Sequence, residues 1–516
     1  MIASFFLVGA ILAPLFSFAL LALLRFRKAR IGLQWLVSYL GAMFAWLCLF
    51  GLRFFLPHEL AMWRWQPQNL FPLSPALLAD GFSWPIGLIL VSVGGAVLLT
   101  EATTQAEERV FGWAGNLLLV GLGLSAIFAG NQLTLLLAWA ATDLVELAIW
   151  LSRPAQAQLR ERVILAFSSR AFAVMLSLWG FGNPWAYVVS ILLRWGVFPF
   201  HLPYLESPDL RRGLGTIIRI VPPLTTIPLL ARFADLATFS SLEWIRLILG
   251  VIALLALIQW VLSADVFESR PFWIIGVASF AFYAAVLGRP EAVLAWGGVL
   301  AVCGSFLFLT QVRDRFWLLT FGFVVMLLLG LPFTPFWDLV RIYPRRWSME
   351  TLFWMLSHFL LIVGAGRFFL QKPKGAIEGE PWTQFLHRFA LIGLIGSVLI
   401  VGYGGWRSVL ETALSRPYTQ GRSWLEYFIG FGLMGMSLLM ALMLRWRSLP
   451  SLRLSERWRR WFSMEWLYGF LRWAFRQVGI LYQQFEAVLE GRGGILWAIV
   501  FTFVLARVFL FFREGQ

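Results

Sequence analysis

Two carboxylates and two guanidinium groups stand inside otherwise apolar runs of this chain. Asp143 and Glu146 lie in NQLTLLLAWAATDLVELAIWL (Asn131 to Leu151), Arg194 in LRWGVFPFHLPYL (Leu193 to Leu205), and Arg219 in the next apolar run. Charge inside an apolar span is expensive, so such residues either line an ion path or neutralise one another. A proton path needs groups that change protonation near neutral pH, typically a desolvated lysine with a carboxylate to modulate it. The chain has three lysines, Lys28, Lys372 and Lys374, and all fall in loops, so none can serve in a span. An arginine stays charged and cannot hand its proton on, which makes Arg194 a fixed positive charge in need of a carboxylate. Asp143 and Glu146, three residues apart, share about one helix face and are its candidate partners. His201, beyond a proline-broken turn, is a candidate orienting group or water contact near the membrane surface.

Prolines supply the second chemical signal. Pro199 removes one amide from a helical ladder within an apolar stretch, and Pro332 with Pro335 repeats the device further along. A helix broken inside a membrane exposes carbonyls and amides to a cavity, and paired breaks in two halves of one chain are the mark of inverted-repeat transporters. Either proline alone reads equally as a packing kink. No Gly-rich phosphate loop, His/Glu zinc motif or nucleophile elbow is present. Cys48 and Cys303 sit in apolar runs without CxxC spacing, which argues against a disulfide framework, a zinc site or an iron-sulfur cluster. The expectation is therefore no catalytic centre, metal or cofactor in this chain.

The elements that must position these residues are membrane helices. Of 516 residues 60% are hydrophobic and 13% charged, and the mean hydropathy is +0.77, far outside the range of soluble globular chains. Runs long enough to cross about 30 Å of hydrocarbon recur roughly 14 to 16 times, and lipid forces them into helices. The expected fold is an all-α polytopic membrane protein. Tryptophans near run ends (Trp63, Trp65, Trp84, Trp347, Trp424) read as interfacial belts. The net charge of +15 is spread over loops between apolar runs, which points to membrane topology and away from nucleic acid. The basic loops (Arg25 to Arg30, Arg153 to Arg162, Arg211 and Arg212, Arg313 to Arg315, Arg367 to Lys374, Arg445 to Arg460) fall mostly on alternate sides, with Arg341, Arg345 and Arg346 breaking the pattern. The positive-inside bias puts these loops in the cytoplasm and the N-terminus outside. Met1 to Leu24 lacks a basic lead-in and reads as a retained first span.

The expected organisation is N-terminal helices over 1–110, one repeat over 111–240, a second over 241–370, further helices over 371–451, an amphipathic helix within 452–494 and a last span over 495–516. In the amphipathic segment Phe462, Trp466, Leu467, Phe470, Leu471, Phe475, Val478 and Leu481 recur at helical spacing among Arg472, Arg476, Gln483 and Gln484, the pattern of a helix lying at a membrane surface.

Five segments, in order, carry a resemblance. LLADGFSWPIGLIL at Leu77, the Asn131 segment, the Arg194 segment, SADVFESRPFWIIGVASFAFY at Ser263 and LLGLPFTPFWDLV at Leu328 resemble the antiporter-like membrane subunits of respiratory complex I, Mrp cation/proton antiporters and membrane-bound hydrogenases. The resemblance implies two inverted repeats, each with a broken helix, a lateral amphipathic helix on the cytoplasmic face, and partners that are other integral subunits of a cell-membrane complex. It also implies a glutamate after Trp139 and a lysine before Pro-Phe-His, where this chain has Ala140 and Arg194; the family's next lysine falls at Pro223 or Leu224, beyond Arg219. The family's second-half lysine or glutamate falls near Asp338 or Leu339, and the spans from Trp273 to Val340 read as almost free of titratable groups. The implied subunit has degenerate proton conduction and a structural or coupling role. Two alternatives stay open: an H+ or Na+ path through Asp143, Glu146 and Arg194, and a polytopic membrane transferase using His58, Glu59 or Asp80.

Overall fold

The computed structural model describes residues 1–61, 74–101, 106–152, 157–179, 183–197, 213–239, 244–263, 269–310, 315–331, 334–343, 349–370, 381–403, 406–415 and 465–490, with isolated positions in 432–435 and 498–503. Pro199, His201 and Pro332 lie outside the described residues, as do Trp63, Trp65, Trp347 and Trp424. Two compact units result, Met1–Leu452 and Arg453–Gln516.

The first unit is a bundle of apolar helices. In chain order these are α1 (Ile2–Phe26), α2 (Ile31–Leu52), α3 (Trp84–Thr100), α4 (Ala106–Ile127), α5 (Gln132–Leu151), α6 (Ala157–Trp179), α7 (Pro184–Trp195), α8 (Leu214–Leu224), α9 (Ile227–Asp235), α10 (Ile245–Leu262), α11 (Arg270–Val286), α12 (Pro290–Leu309), α13 (Arg315–Leu328), α14 (Met349–Leu370), α15 (Pro381–Tyr403) and α16 (Trp406–Ala413). Among the described residues nine helical segments are long and apolar enough to span a membrane, α8 and α9 counting together as one, and four shorter apolar helices join them. The all-α polytopic expectation holds, with one addition. A two-stranded antiparallel ribbon, β1 (His58–Ala61) paired with β2 (Ala76–Ala79), joins α2 to α3.

Burial follows composition. α12, AVLAWGGVLAVCGS at its heart, is buried along its whole span and packs on α3, α8, α9, α11 and α13, while α1, α2 and α10 keep broad apolar faces outward. A helix that is hydrophobic all round belongs in the middle of such a bundle. Small residues bring the backbones together. At Gly364 on α14 an added Cβ would overlap the Trp260 indole of α10, which donates its Nε1–H to the Leu361 carbonyl at 3.3 Å and packs against Trp273 and Phe368. Gly364→Ala is therefore expected to cost about 1–3 kcal/mol by overpacking, read as a lowered thermal midpoint of the purified chain in detergent.

One expected belt residue is corrected. Trp84 is fully buried and its Nε1–H donates to the Leu49 carbonyl at 2.8 Å. A helix entry held inside the bundle gives its indole a protein partner where a lipid-facing ring would meet headgroups. Asp80 explains that entry: its Oδ1 accepts from the Phe82 and Ser83 amides and the Ser83 hydroxyl, and its Oδ2 meets Arg232 Nη2 at 3.1 Å. Asp80 and Ser83 thus order the start of α3, with the Asp80 carboxylate fully occupied.

In the second unit α17 (Glu465–Glu490) is a single 26-residue helix. Trp466, Phe470, Trp473, Val478 and Leu481 are exposed along it, the apolar stripe expected of an amphipathic helix.

Candidate functional site: a buried ion cluster beside a broken helix

The cluster starts from how α5 and α7 begin and end. The Asn131 side chain accepts the Thr134 amide at 2.9 Å and caps α5. This sets a helical phase in which Trp139, Asp143 and Glu146 all face the protein interior. At 1.5 Å per residue Asp143 lies about 16 Å along a helix of about 30 Å, near the middle of the span. The helix α7 opens on an Asn183–Pro184 cap and closes at Gly196, whose φ of 66° lies in the left-handed region that favours glycine and whose N–H reaches the Leu192 and Leu193 carbonyls. Arg194 is thereby placed in the last turn of α7, where the negative end of the helix dipole favours a cation.

Arg194 and Asp143 form a two-pronged pair. Nη1 donates to Oδ2 at 2.8 Å and Nη2 to Oδ1 at 3.2 Å, with both side chains almost fully buried. The planar fork matches the carboxylate. The guanidinium also lies 4.3 Å from the Trp139 ring centroid, a desolvated cation–π contact. Arg170 of α6 completes the cluster, donating to Glu146 and standing 3.8 Å from Asp143 Oδ1, the oxygen that also meets Arg194 Nη2. The Arg194 charge thus meets Asp143, and Glu146 serves Arg170.

A described helix break lies nearby, between α8 and α9. Pro222 and Pro223 sit inside α8, and the chain leaves helical order at Thr225 and Thr226 before α9 begins. Loss of two consecutive amides removes two rungs of the ladder. Past the prolines, both threonine hydroxyls donate back to the prolines' own carbonyls, Thr225 to Pro222 at 2.8 Å and Thr226 to Pro223 at 2.6 Å. Trp139 Nε1–H donates to the Thr225 hydroxyl at 3.0 Å and Trp195 Nε1–H to that of Thr226 at 2.9 Å. The two tryptophans beside the ion pair thus pin the break. Arg219 is buried one turn before Pro222. At the head of α8 Glu101 accepts the Leu214 amide at 2.6 Å, a carboxylate cap at a helix N-terminus.

The second half contains charge that the sequence reading missed. Glu291 of α12 accepts from Arg341 Nη1 at 3.1 Å, and Arg341 Nε lies 2.8 Å from Asp338 Oδ1. Arg407 lies 3.9 Å from Asp338 Oδ2. Asp338 and Arg341 share a 3-10 turn, Trp337–Ile342, that follows Pro335. The expectation that this half is nearly free of titratable groups is corrected: the charges sit at the ends of apolar runs, where composition counts them as loops. Arg341 broke the alternation of basic loops for the same reason, since it pairs inside the protein. The i, i+3 spacing of Asp338 and Arg341 was a readable signal; Glu291, fifty residues away, offered none. His358 bonds the Tyr343 hydroxyl through Nδ1 and the Leu328 carbonyl through Nε2, each at 2.7 Å. A carbonyl can only accept, so Nε2 carries the proton and Nδ1 accepts from Tyr343. Within the motif segments, Arg270 of α11 donates to Thr216 at 3.2 Å and lies over the Phe308 ring. Ser279 bonds back to its own helix, at the Ile275 carbonyl.

Among the described residues no group of His, Cys, Asp and Glu is arranged to hold a metal ion. No protein-family model matches the sequence, and no curated protein matches it. Solved structures do. The chain aligns over 99% of its length with a chain of the Mrp complex from Dietzia sp. DQ12-45-1b at 15% identity and a TM-score of 0.72, and spans 63% of that chain. It also aligns over 96% of its length with a chain of the membrane-bound sulfane sulfur reductase, an archaeal respiratory membrane complex, at 14% identity and a TM-score of 0.63, covering 99% of that chain. In fold, this chain is similar to a chain of each of these two membrane complexes.

Proposed function

We propose that the chain is a membrane-arm subunit of a multi-subunit ion-translocating complex, related to complex I, Mrp or hydrogenase assemblies, and that its own proton path is degenerate. The observation that carries this reading is the Arg194–Asp143 pair at mid-span. A guanidinium stays charged and cannot hand its proton on, and here its planar fork is spent on both oxygens of the Asp143 carboxylate. Asp143 is held further by Arg170, which also serves Glu146. Such a cluster braces α5, α6 and α7 against one another and carries a fixed electrostatic field toward neighbouring subunits, which is the structural and coupling role proposed here. Two further supports are the likeness to chains of two multi-subunit complexes and the apolar stripe of α17, suited to a brace along the membrane surface. The proposed setting is the cell membrane, with the N-terminus outside and other integral subunits and lipid as partners.

The test has two parts. Tagged protein purified from its native membrane in mild detergent is expected to bring other integral subunits with it, identified by mass spectrometry; a chain that comes out alone overturns the subunit reading. Reconstituted in liposomes under an imposed pH or sodium gradient, the chain is expected to give flux no greater than protein-free vesicles. Flux that is abolished by Glu146→Gln overturns the degenerate-path reading and establishes the H+ or Na+ path.

A further inference from the structure

The short helix α16 is tied at both ends to parts of the chain far away in sequence. Ser415, just past its C-terminus, shares its backbone N–H between both carboxylate oxygens of Asp235, each at 3.1 Å. Asp235 is the last residue of α9, the helix that follows the break at Thr225. At the other end the Arg407 guanidinium lies 5.4 Å from the Trp337 ring centroid, with Nε 3.9 Å from Asp338 Oδ2. Trp337 and Asp338 open the 3-10 turn beyond α13. Gly402, near the end of α15, closes on the same region, since a Cβ there would stand 2.5 Å from Pro335 Cβ. Between these anchors the backbone of α16 rests on the entry to α3: a Cβ at Gly81 would stand 2.5 Å from the Val409 carbonyl oxygen. Trp406 and Leu410, one turn apart, are buried, while Ser408, Glu411 and Thr412 are exposed. An eight-residue helix has little stability of its own, so its contacts must hold it in place.

We infer that α16 is a strap that couples the end of α9 to the 3-10 turn beyond α13, so that loosening either anchor loosens the other. The Asp235 anchor is charge-assisted. The Arg407 anchor combines a cation–π contact with a half-exposed ion pair and is the weaker of the two. Arg232 of α9 also pairs with Asp80, next to Gly81, so α9, the entry to α3 and the strap form one connected set at one end of the bundle. Two segments that lie about a hundred residues apart in sequence thereby move together. The strap lies wholly within this chain, which makes it independent of any ion path and of the complex that holds the subunit.

The experiment uses the full chain in mild detergent, with accompanying subunits retained, and follows amide hydrogen exchange by mass spectrometry. In Asp235→Asn the amides of Trp337, Leu339 and Tyr343, bonded in and beside the turn, are expected to exchange about fivefold faster. In Arg407→Gln the same acceleration is expected at Leu236, Ala237 and Thr238, at the end of α9. Coupling between two sites is reciprocal, so either variant alone decides the matter and a failure of one to fold leaves the other. The amides of α6 serve as the internal control and are expected to keep their rates. Acceleration confined to the mutated anchor, or acceleration that reaches α6 equally, would overturn the inference.

Discussion

Asp143→Asn is expected to destabilise the protein by about 3–5 kcal/mol, because it leaves the Arg194 guanidinium buried and charged with no carboxylate to meet it. The substitution keeps the volume and one acceptor, so packing contributes little to the loss; the cost is that of an uncompensated charge at mid-span. Arg194 is 1% exposed, which denies it the escape to water by which long basic side chains relieve such strain nearer a surface. Removing both partners together is expected to behave differently. In Asp143→Leu with Arg194→Met, the Arg170–Glu146 pair remains and the net charge of the cluster is unchanged. Replacing a whole buried pair by apolar groups of similar size is often close to neutral. The double variant should therefore recover most of the thermal midpoint lost in Asp143→Asn, a coupling far outside additivity. Equal damage in the single and double variants would mean that shape, and not charge, governs this site.

Arg341→Met is the second large effect, again of about 3–5 kcal/mol. Arg341 stands between Glu291 on α12 and Asp338 on the 3-10 turn, and both carboxylates are buried. Without the guanidinium two like charges face each other, with Arg407 3.9 Å from one of them. The turn after Pro335 loses its charged tie to the most buried helix of the bundle and keeps the bond from the Trp296 indole to the Leu339 carbonyl. Adding Glu291→Gln to Arg341→Met removes one of the two charges and is expected to restore at least half of the lost stability. A thermal midpoint unmoved by Arg341→Met would show that water reaches Asp338 and Glu291 in the membrane. Together the two variants separate the halves of the molecule: the first loosens α5 against α7, the second loosens α12 against the turn beyond α13.

Hydropathy alone determined that this chain is a helical membrane protein, because lipid offers no other way to satisfy a backbone. The residues that carry a fixed charge into it were equally plain, since an Asp, a Glu and two Arg in apolar runs have few alternatives to pairing. The ordered motif segments pointed to a membrane-subunit fold, and the chain shares its fold with chains of two membrane complexes. Tertiary structure decided who pairs with whom. Sequence spacing put Asp143 and Glu146 on one face, but only the packing of α5 against α6 and of α7 into the same interior gives Asp143 to Arg194 and Glu146 to Arg170. It also added a helix break at the α8–α9 junction, because a proline pair shows only where backbone order weakens, while the neighbouring indoles of Trp139 and Trp195 select the residue at which it parts. Glu291 and Arg341 stayed out of sight for the same reason: charges at the edges of apolar runs look like loop residues until distant helix ends are brought together. The strap of α16 is likewise a property of several distant segments at once, and no window of sequence contains it.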